Sequence, residues 1–353
     1  MTEKNIVNNP IFFERNRVAR IYTGGKLFSG FFGDEPVDGF LPEEWVCSTV
    51  SALNEGSTVK NEGLSVVRGT DILFTDLIKN YHDELLGNRK AFPVLVKLLD
   101  SAVRLPIQAH PDKEYSRKYF SSDFGKAESW VVVDTREDAC LYFGFKNKIT
   151  KEEFRAAVER SYDDPDCMEP LVNRIPVKKG DVYFVPAKMV HAIGAGCLIL
   201  ETQEPTDFTI QPEAWCVGNR ISEQTMYMGL DEDIALDVFD YDIYGEKAIA
   251  AGKKEPVVLY EKDGVKRESL ISYSDTPCFA VNRITLKSAS TTDFTAPAIY
   301  IVTEGNGKIV CGENTFDVHK GDYFFAPYSI KDKFSATTDG NMEIVECLPA
   351  LEA

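Results

Sequence analysis

The sequence predicts a mainly β chain built as two related barrels, with a small helical insertion in its N-terminal part. Three observations carry this. Short apolar runs alternate with Gly, Pro and Asn turns over residues 11–68 and again from Val257 to Leu348, as antiparallel strands do. Helical periodicity is confined to three stretches, about 70–90, 150–172 and 222–239. The third observation is a repeat. Val177-Lys-Lys-Gly-Asp181 followed by Tyr183-Phe-Val-Pro186 returns 141 residues later as Val318-His-Lys-Gly-Asp322 followed by Phe324-Phe-Ala-Pro327. A strand–turn–strand unit present twice in β surroundings points to duplicated barrels.

In chain order, Trp45–Leu53 and Ser65–Val67 read as short strands separated by Asn54-Glu-Gly56. A helix is expected over Asp71–Leu86, with Thr70 as N-cap, Gly87 past its end and Leu73, Leu77 and Tyr81 on one face. Phe92–Leu99 is an apolar strand interrupted by Lys97, and Val131–Val133 and Leu141–Phe145 are further strands. Thr150 with Glu153 forms a capping box for the second helix, and Asp166 with Glu169 marks a short helical turn. Ser222 caps the third helical stretch, the small, polar, Pro-ended segment Ala248–Pro256 reads as a linker, and Gly305-Asn-Gly307 marks a hairpin. The expected domains are 1–245, with the helical segments, and 246–353.

With 353 residues the chain is long enough for two cores. Its net charge of −17 argues against nucleic acid and anionic membranes as partners. The sequence shows no apolar run near the ~20 residues of a membrane span and no signal-peptide pattern. Its eight cysteines are scattered without a CxxC pair, which fits reduced thiols in the cytoplasm.

The stretch Gln108 to Trp130 holds the candidate chemistry. Gln108 and His110 lie two apart, so on an extended strand they face one way. Glu128 can reach the same point from a returning strand, across a polar, turn-rich interval. Imidazole with carboxylate suits a first-row metal, zinc foremost.

Gly180, Pro186 and His191 have a spacing that resembles the second motif of the cupin family, and Gln108-x-His110 with Glu128 resembles the first. The series FPVLVKLLD, QAHPDKEY, GKAESW, VPAKMVHAIGAG and LETQEPTDF resembles type I mannose-6-phosphate isomerases, the short bacterial form above all. The resemblance covers Phe92 to Phe208 best. It implies two jelly-roll barrels, the first catalytic and the second degenerate. It also implies one Zn2+ per chain on Gln108, His110, Glu128 and His191. His82 and His319 lack such context and read as surface residues.

The implied activity is aldose–ketose isomerisation of mannose 6-phosphate and fructose 6-phosphate through an enediol, by a monomer or homodimer. Lys126 matches a family position at the active site, where a cation could bind sugar oxygens; a solvated turn is the other reading. Lys97 matches the family motif within an apolar strand and could face the pocket. Glu201 aligns with a family glutamate near the sugar and is a candidate base, or else pairs with a lysine. Asp207 aligns too.

Some features depart from the family. A functional arginine follows the aspartate by four residues, and Gln211 stands there, so the catalytic set of Lys126, Glu201 and Gln211 lacks that charge. Arg220 or Lys188 could supply it, beside Lys97, as a substrate-binding cation. Tyr22-Thr-Gly-Gly25 stands in place of Trp-Gly-Gly, Glu44-Trp45 lies near an early Glu-x-Trp signal, and Asp332 occupies the second copy's counterpart of His191. Alternatives are an isomerase of another sugar or sugar phosphate, and a non-catalytic, metal-containing sugar-binding cupin.

Overall fold

The computed structural model describes residues 2–351. The molecule is mainly β, and two large antiparallel sheets organise it. The seven-stranded sheet runs Lys253–Lys254, Val182–Val185, Glu128–Thr135, Cys197–Gln203, Leu95–Asp100, Glu43–Val46 and Arg17–Val18. The ten-stranded sheet has the path Ile11–Phe12, Tyr323–Ala326, Ala298–Cys311, Asn341–Pro349, Phe279–Lys287, Val265–Ile271 and Val257–Lys262. A three-stranded sheet of Val172–Pro176, Cys140–Phe145 and His191–Ile193 covers the N-terminal core. Among the described residues neither large sheet's strand path closes on itself.

Strand alternation explains the layering, because successive side chains go to opposite faces. Leu99, Trp130, Val132 and Ile199 enter a core beneath the three-stranded sheet. Val96, Leu98, Val131, Val133, Leu198 and Leu200 enter a second core against Ile299, Ile301, Tyr323, Phe325 and Val345 of the ten-stranded sheet. The opposite face of that sheet, with Tyr300, Val302 and Phe324, closes a third core. Strands buried on both faces read as continuous apolar runs, which is why FPVLVKLL and VVV are so apolar.

The repeat holds in three dimensions. Gly180 and Gly321 both take left-handed φ, 92° and 90°. The Gly180 N–H donates to Val132 O and that of Gly321 to Val302 O, both at 2.8 Å. The carboxylates of Asp181 and Asp322 each accept from the backbone three residues back, at 3.0 and 2.9 Å. Lys179 and Lys320, equivalent residues, both pair with Glu304.

Several expected elements differ. The 71–86 helix is two short ones, Phe74–Asn80 and His82–Leu86, broken where Tyr81 turns to φ −133°, ψ 45°. Thr70 caps nothing; its hydroxyl closes a turn with Val67 O. The 222–239 stretch is likewise split into Glu223–Tyr227 and Glu232–Leu236 by Met228 and Gly229, both at positive φ. The expected linker Ala248–Pro256 is instead the end of a helix, Gly245–Gly252, followed by the strand Lys253–Lys254. Gly305-Asn-Gly307 lies within the 14-residue strand Ala298–Cys311, next to a register shift, and the chain reverses instead at Gly312-Glu313. The capping box of Lys151–Ser161 is present on Thr150 and Glu153.

The 245/246 division is crossed twice. Ile11–Phe12 pairs with Tyr323–Ala326 of the C-terminal sheet, and Lys253–Lys254 pairs with Val182–Val185 of the N-terminal one.

Candidate metal centre and active-site cavity

Glu128 opens an interior strand of the seven-stranded sheet, next to its central strand Cys197–Gln203, and His191 opens a strand of the three-stranded sheet. Gln108 and His110 come from an irregular segment that bonds to the His191 strand. The N–H of Gln108 donates to His191 O and that of His191 to Gln108 O, both at 2.9 Å. Directly opposed residues of an antiparallel pair share a face, so Gln108 and His191 face the same side, and Gln108 lines the cavity there.

The ligand-type atoms of His110, Glu128 and His191 lie within 4.8 Å of one another, and all three residues are buried. His110 Nε2 is 3.2 Å from His191 Nε2 and 3.2 Å from Glu128 Oε2. His191 Nε2 is 3.4 Å from Glu128 Oε1. Each Nδ1 faces a carbonyl, Phe208 O at 2.9 Å and Met189 O at 2.8 Å. A carbonyl can only accept, so each Nδ1 carries the proton and each Nε2 presents a lone pair. Burial first, then the Lys126 ammonium, holds His110 well below the usual histidine range; burial also lowers His191, against the pull of Glu128. Glu128 Oε2 has no hydrogen-bond partner although buried. Two lone pairs and an unsatisfied carboxylate oxygen turned on one point are a donor set that fits a divalent cation. Among the described residues this is the single such group.

His110 and Glu128 line a cavity of about 1020 Å³, with His191 close against both. Lys126 Nζ lies 2.9 Å from His110 Nε2 and 3.5 Å from Glu128 Oε2, and it is buried, so the solvated-turn reading fails. Burial lowers its pKa. Glu201 lies opposite Lys97 on the neighbouring strand, with Lys97 Nζ 3.3 Å from its Oε1 and Trp130 Nε1 donating to its Oε2 at 3.2 Å. Burial and then the Glu128 carboxylate raise Glu201. Lys97 faces the cavity as expected. Burial works against its charge, but Glu43, Glu201 and Asp207 outweigh it and its pKa rises.

Gln211 and Arg220 also line the cavity. Arg220 sits on the Trp215–Cys216/Asn219–Arg220 hairpin with its guanidinium 4.4 Å from the Tyr162 ring centroid, and among the described residues it forms no ion pair. Lys188 is not brought to the cavity. It takes a left-handed turn, φ 72°, and its N–H donates to His110 O at 2.8 Å, so it supports the ligand backbone instead.

Two residues escaped sequence reasoning. Arg20 is partly buried and lines the cavity, with contacts to Glu43 at 3.0 Å, Asn54 at 3.0 Å and Asp207 at 2.9 Å. Glu43, rather than Glu44, lies on the cavity face; Tyr22 and Trp45 donate to it. Burial alone would raise Glu43, but Arg20 and Lys97 hold it below the carboxylate range. Parity with Trp45 on one strand was the available signal. The second copy lacks this chemistry: Asp332 is exposed at positive φ, and Ala298 pairs with Ala326 in the way that Glu128 pairs with Val185.

The phosphomannose isomerase type I catalytic domain profile matches residues 35–136. A mannose-6-phosphate isomerase of Streptococcus mutans is 31% identical over 339 residues, covering 95% of this chain and 97% of its own. The crystal structure of the Bacillus subtilis mannose 6-phosphate isomerase aligns at TM-score 0.75 and 24% identity, over 95% of this chain and 99% of that one. A mannose 6-phosphate isomerase solved with zinc and yttrium bound aligns at TM-score 0.68 and 16% identity over 97% of this chain and the whole of its own. With these relatives and its buried His–Glu–His group, this chain belongs to the type I phosphomannose isomerase family.

Proposed function

We propose that the protein interconverts mannose 6-phosphate and fructose 6-phosphate with one zinc ion per chain. The observation that carries this is the convergence of His110, Glu128 and His191, the first two lining one cavity with Glu201, Lys97 and Lys126. Gln108, on the face of His191, is the proposed fourth ligand. When bound, the zinc ion would polarise and orient sugar oxygens as a Lewis acid.

The side chains account for the rest. Isomerisation moves one proton from C2 to C1 and one from O2 to O1, so C2–H and O2–H break while C1–H and O1–H form, through an enediol. Glu201 Oε1, which accepts no hydrogen bond, is the proposed base at C2 and acid at C1. Lys126 faces the developing oxygen charge. Arg220 is the proposed phosphate ligand, because Arg20, Lys97 and Lys126 already face carboxylates. Gln211 lines the same wall and offers a neutral amide to the sugar. We read the chain as two jelly-roll units, the first holding the centre and the second packing against it, in a protein of the cytoplasm.

A coupled assay supplied with fructose 6-phosphate tests the reading. Formation of mannose 6-phosphate by the zinc-loaded protein is expected. No turnover, with sugar phosphates still bound, would leave a binding protein instead.

A further inference from the structure

The segment carrying Gln108 and His110 is held along both edges. On one side Leu105 N–H donates to Ile193 O at 2.9 Å and Gln108 exchanges its two bonds with His191. On the other, Ala109 and Ile210 exchange bonds of 2.9 and 3.1 Å, and His110 Nδ1 meets Phe208 O. In that second ladder the next bonded pair would be Ile107 with residue 212. Residue 212 is proline, which has no N–H to give, so a regular ladder cannot continue.

A side chain takes over at this point. The Ile107 N–H donates to Glu213 Oε2 at 2.7 Å. Arg104 grips the same carboxylate with two bonds, Nη1 to Oε2 at 2.9 Å and Nη2 to Oε1 at 2.6 Å, and its Nη1 also donates to Leu105 O at 2.9 Å. The Glu213 N–H closes on Gln211 O at 2.8 Å. Glu213 is 1% exposed. A two-pronged guanidinium–carboxylate contact fixes orientation as well as distance.

We propose that Arg104 and Glu213 form a clasp that positions the ligand segment, so that Gln108 and His110 present their donors to the metal together. Both are positioning residues; neither touches the cavity's reacting atoms. The inference rests on the metal-centre reading above. It also gives a reason for the Pro212-Glu213 sequence: the proline ends the ladder and the next residue replaces it.

The test follows release of zinc from the loaded full-length protein into excess chelator, with a cobalt-substituted sample read by its absorption spectrum. Glu213→Ala is expected to release metal roughly 10- to 100-fold faster, the usual consequence of losing an outer-shell support, and to alter the cobalt spectrum. Glu213→Gln keeps an acceptor for Ile107 and should fall between. Ile309→Val, in the C-terminal core, serves as a control for general loss of stability and should release at the wild-type rate. A folded Glu213→Ala that holds metal as wild type does, with an unchanged spectrum, overturns the clasp. Equally fast release from Ile309→Val at matched thermal stability does the same. Should Glu213→Ala not fold, Glu213→Gln decides: release several-fold faster supports the clasp, and the wild-type rate rejects it. Wild-type protein that takes up no metal would instead overturn the metal centre itself.

Discussion

Glu43 and Glu44 are neighbours with opposite duties. Glu43 turns into the cavity towards Arg20, Tyr22 and Lys97, whereas Glu44 turns to the seam, where Tyr323 and the Asn16 N–H bond it. The site is thus a set of single groups with distinct expected losses. Glu128→Ala should lose the metal by elemental analysis, and Asp332→Ala should keep it. Arg220→Ala should raise KM for mannose 6-phosphate about 10- to 100-fold, the worth of a charge-assisted bond of ~1.5–3 kcal/mol, with kcat changed less; steady-state kinetics reads the split. The histidines give a pH dependence of defined sign. Both are lower in the folded state than the ordinary value of about 6.5, so the unfolded chain binds more protons as pH falls. The metal-free protein should therefore hold its full stability above about pH 6.5 and lose it progressively below, as thermal unfolding across pH would record.

At the scale of elements, the helix Lys113–Phe120 fills the interval between His110 and Glu128, where turns were expected. Asp112 caps it, accepting from Tyr115 N–H at 2.8 Å. Tyr115 enters the N-terminal core, with Tyr119 and Phe120 packed beside it. Thr150→Ala should cost about 1 kcal/mol through loss of the cap, lowering the melting temperature and leaving turnover intact. The elements that read correctly, the capping box and the Gly-Asp turns, are stabilised within a few residues of themselves. The split helices and the Gly305-Asn-Gly307 segment were misread because their outcome depends on neighbours distant in sequence.

The whole molecule is bound by the core between its two large sheets. Phe325 packs there against Phe74 and Phe92, so Phe325→Ala should cost about 3–5 kcal/mol. Urea unfolding should show a lower midpoint for both halves together. A fragment of residues 1–245 should fail to fold, since it would expose Val96, Leu98 and Leu200 and remove the partner of Ile11–Phe12; circular dichroism and solubility would report this. The sequence by itself determined the β class and the repeat and singled out Gln108, His110 and Glu128 as candidate donors, because alternation, turn glycines and a two-residue spacing are local rules. Only the tertiary structure decided which charges meet: that Arg20 and Glu43 share the cavity, that Lys188 supports backbone instead, and that Glu213 continues a ladder which Pro212 ends. Those outcomes rest on contacts across as many as 187 residues, as between Arg20 and Asp207, and no local spacing encodes such a distance.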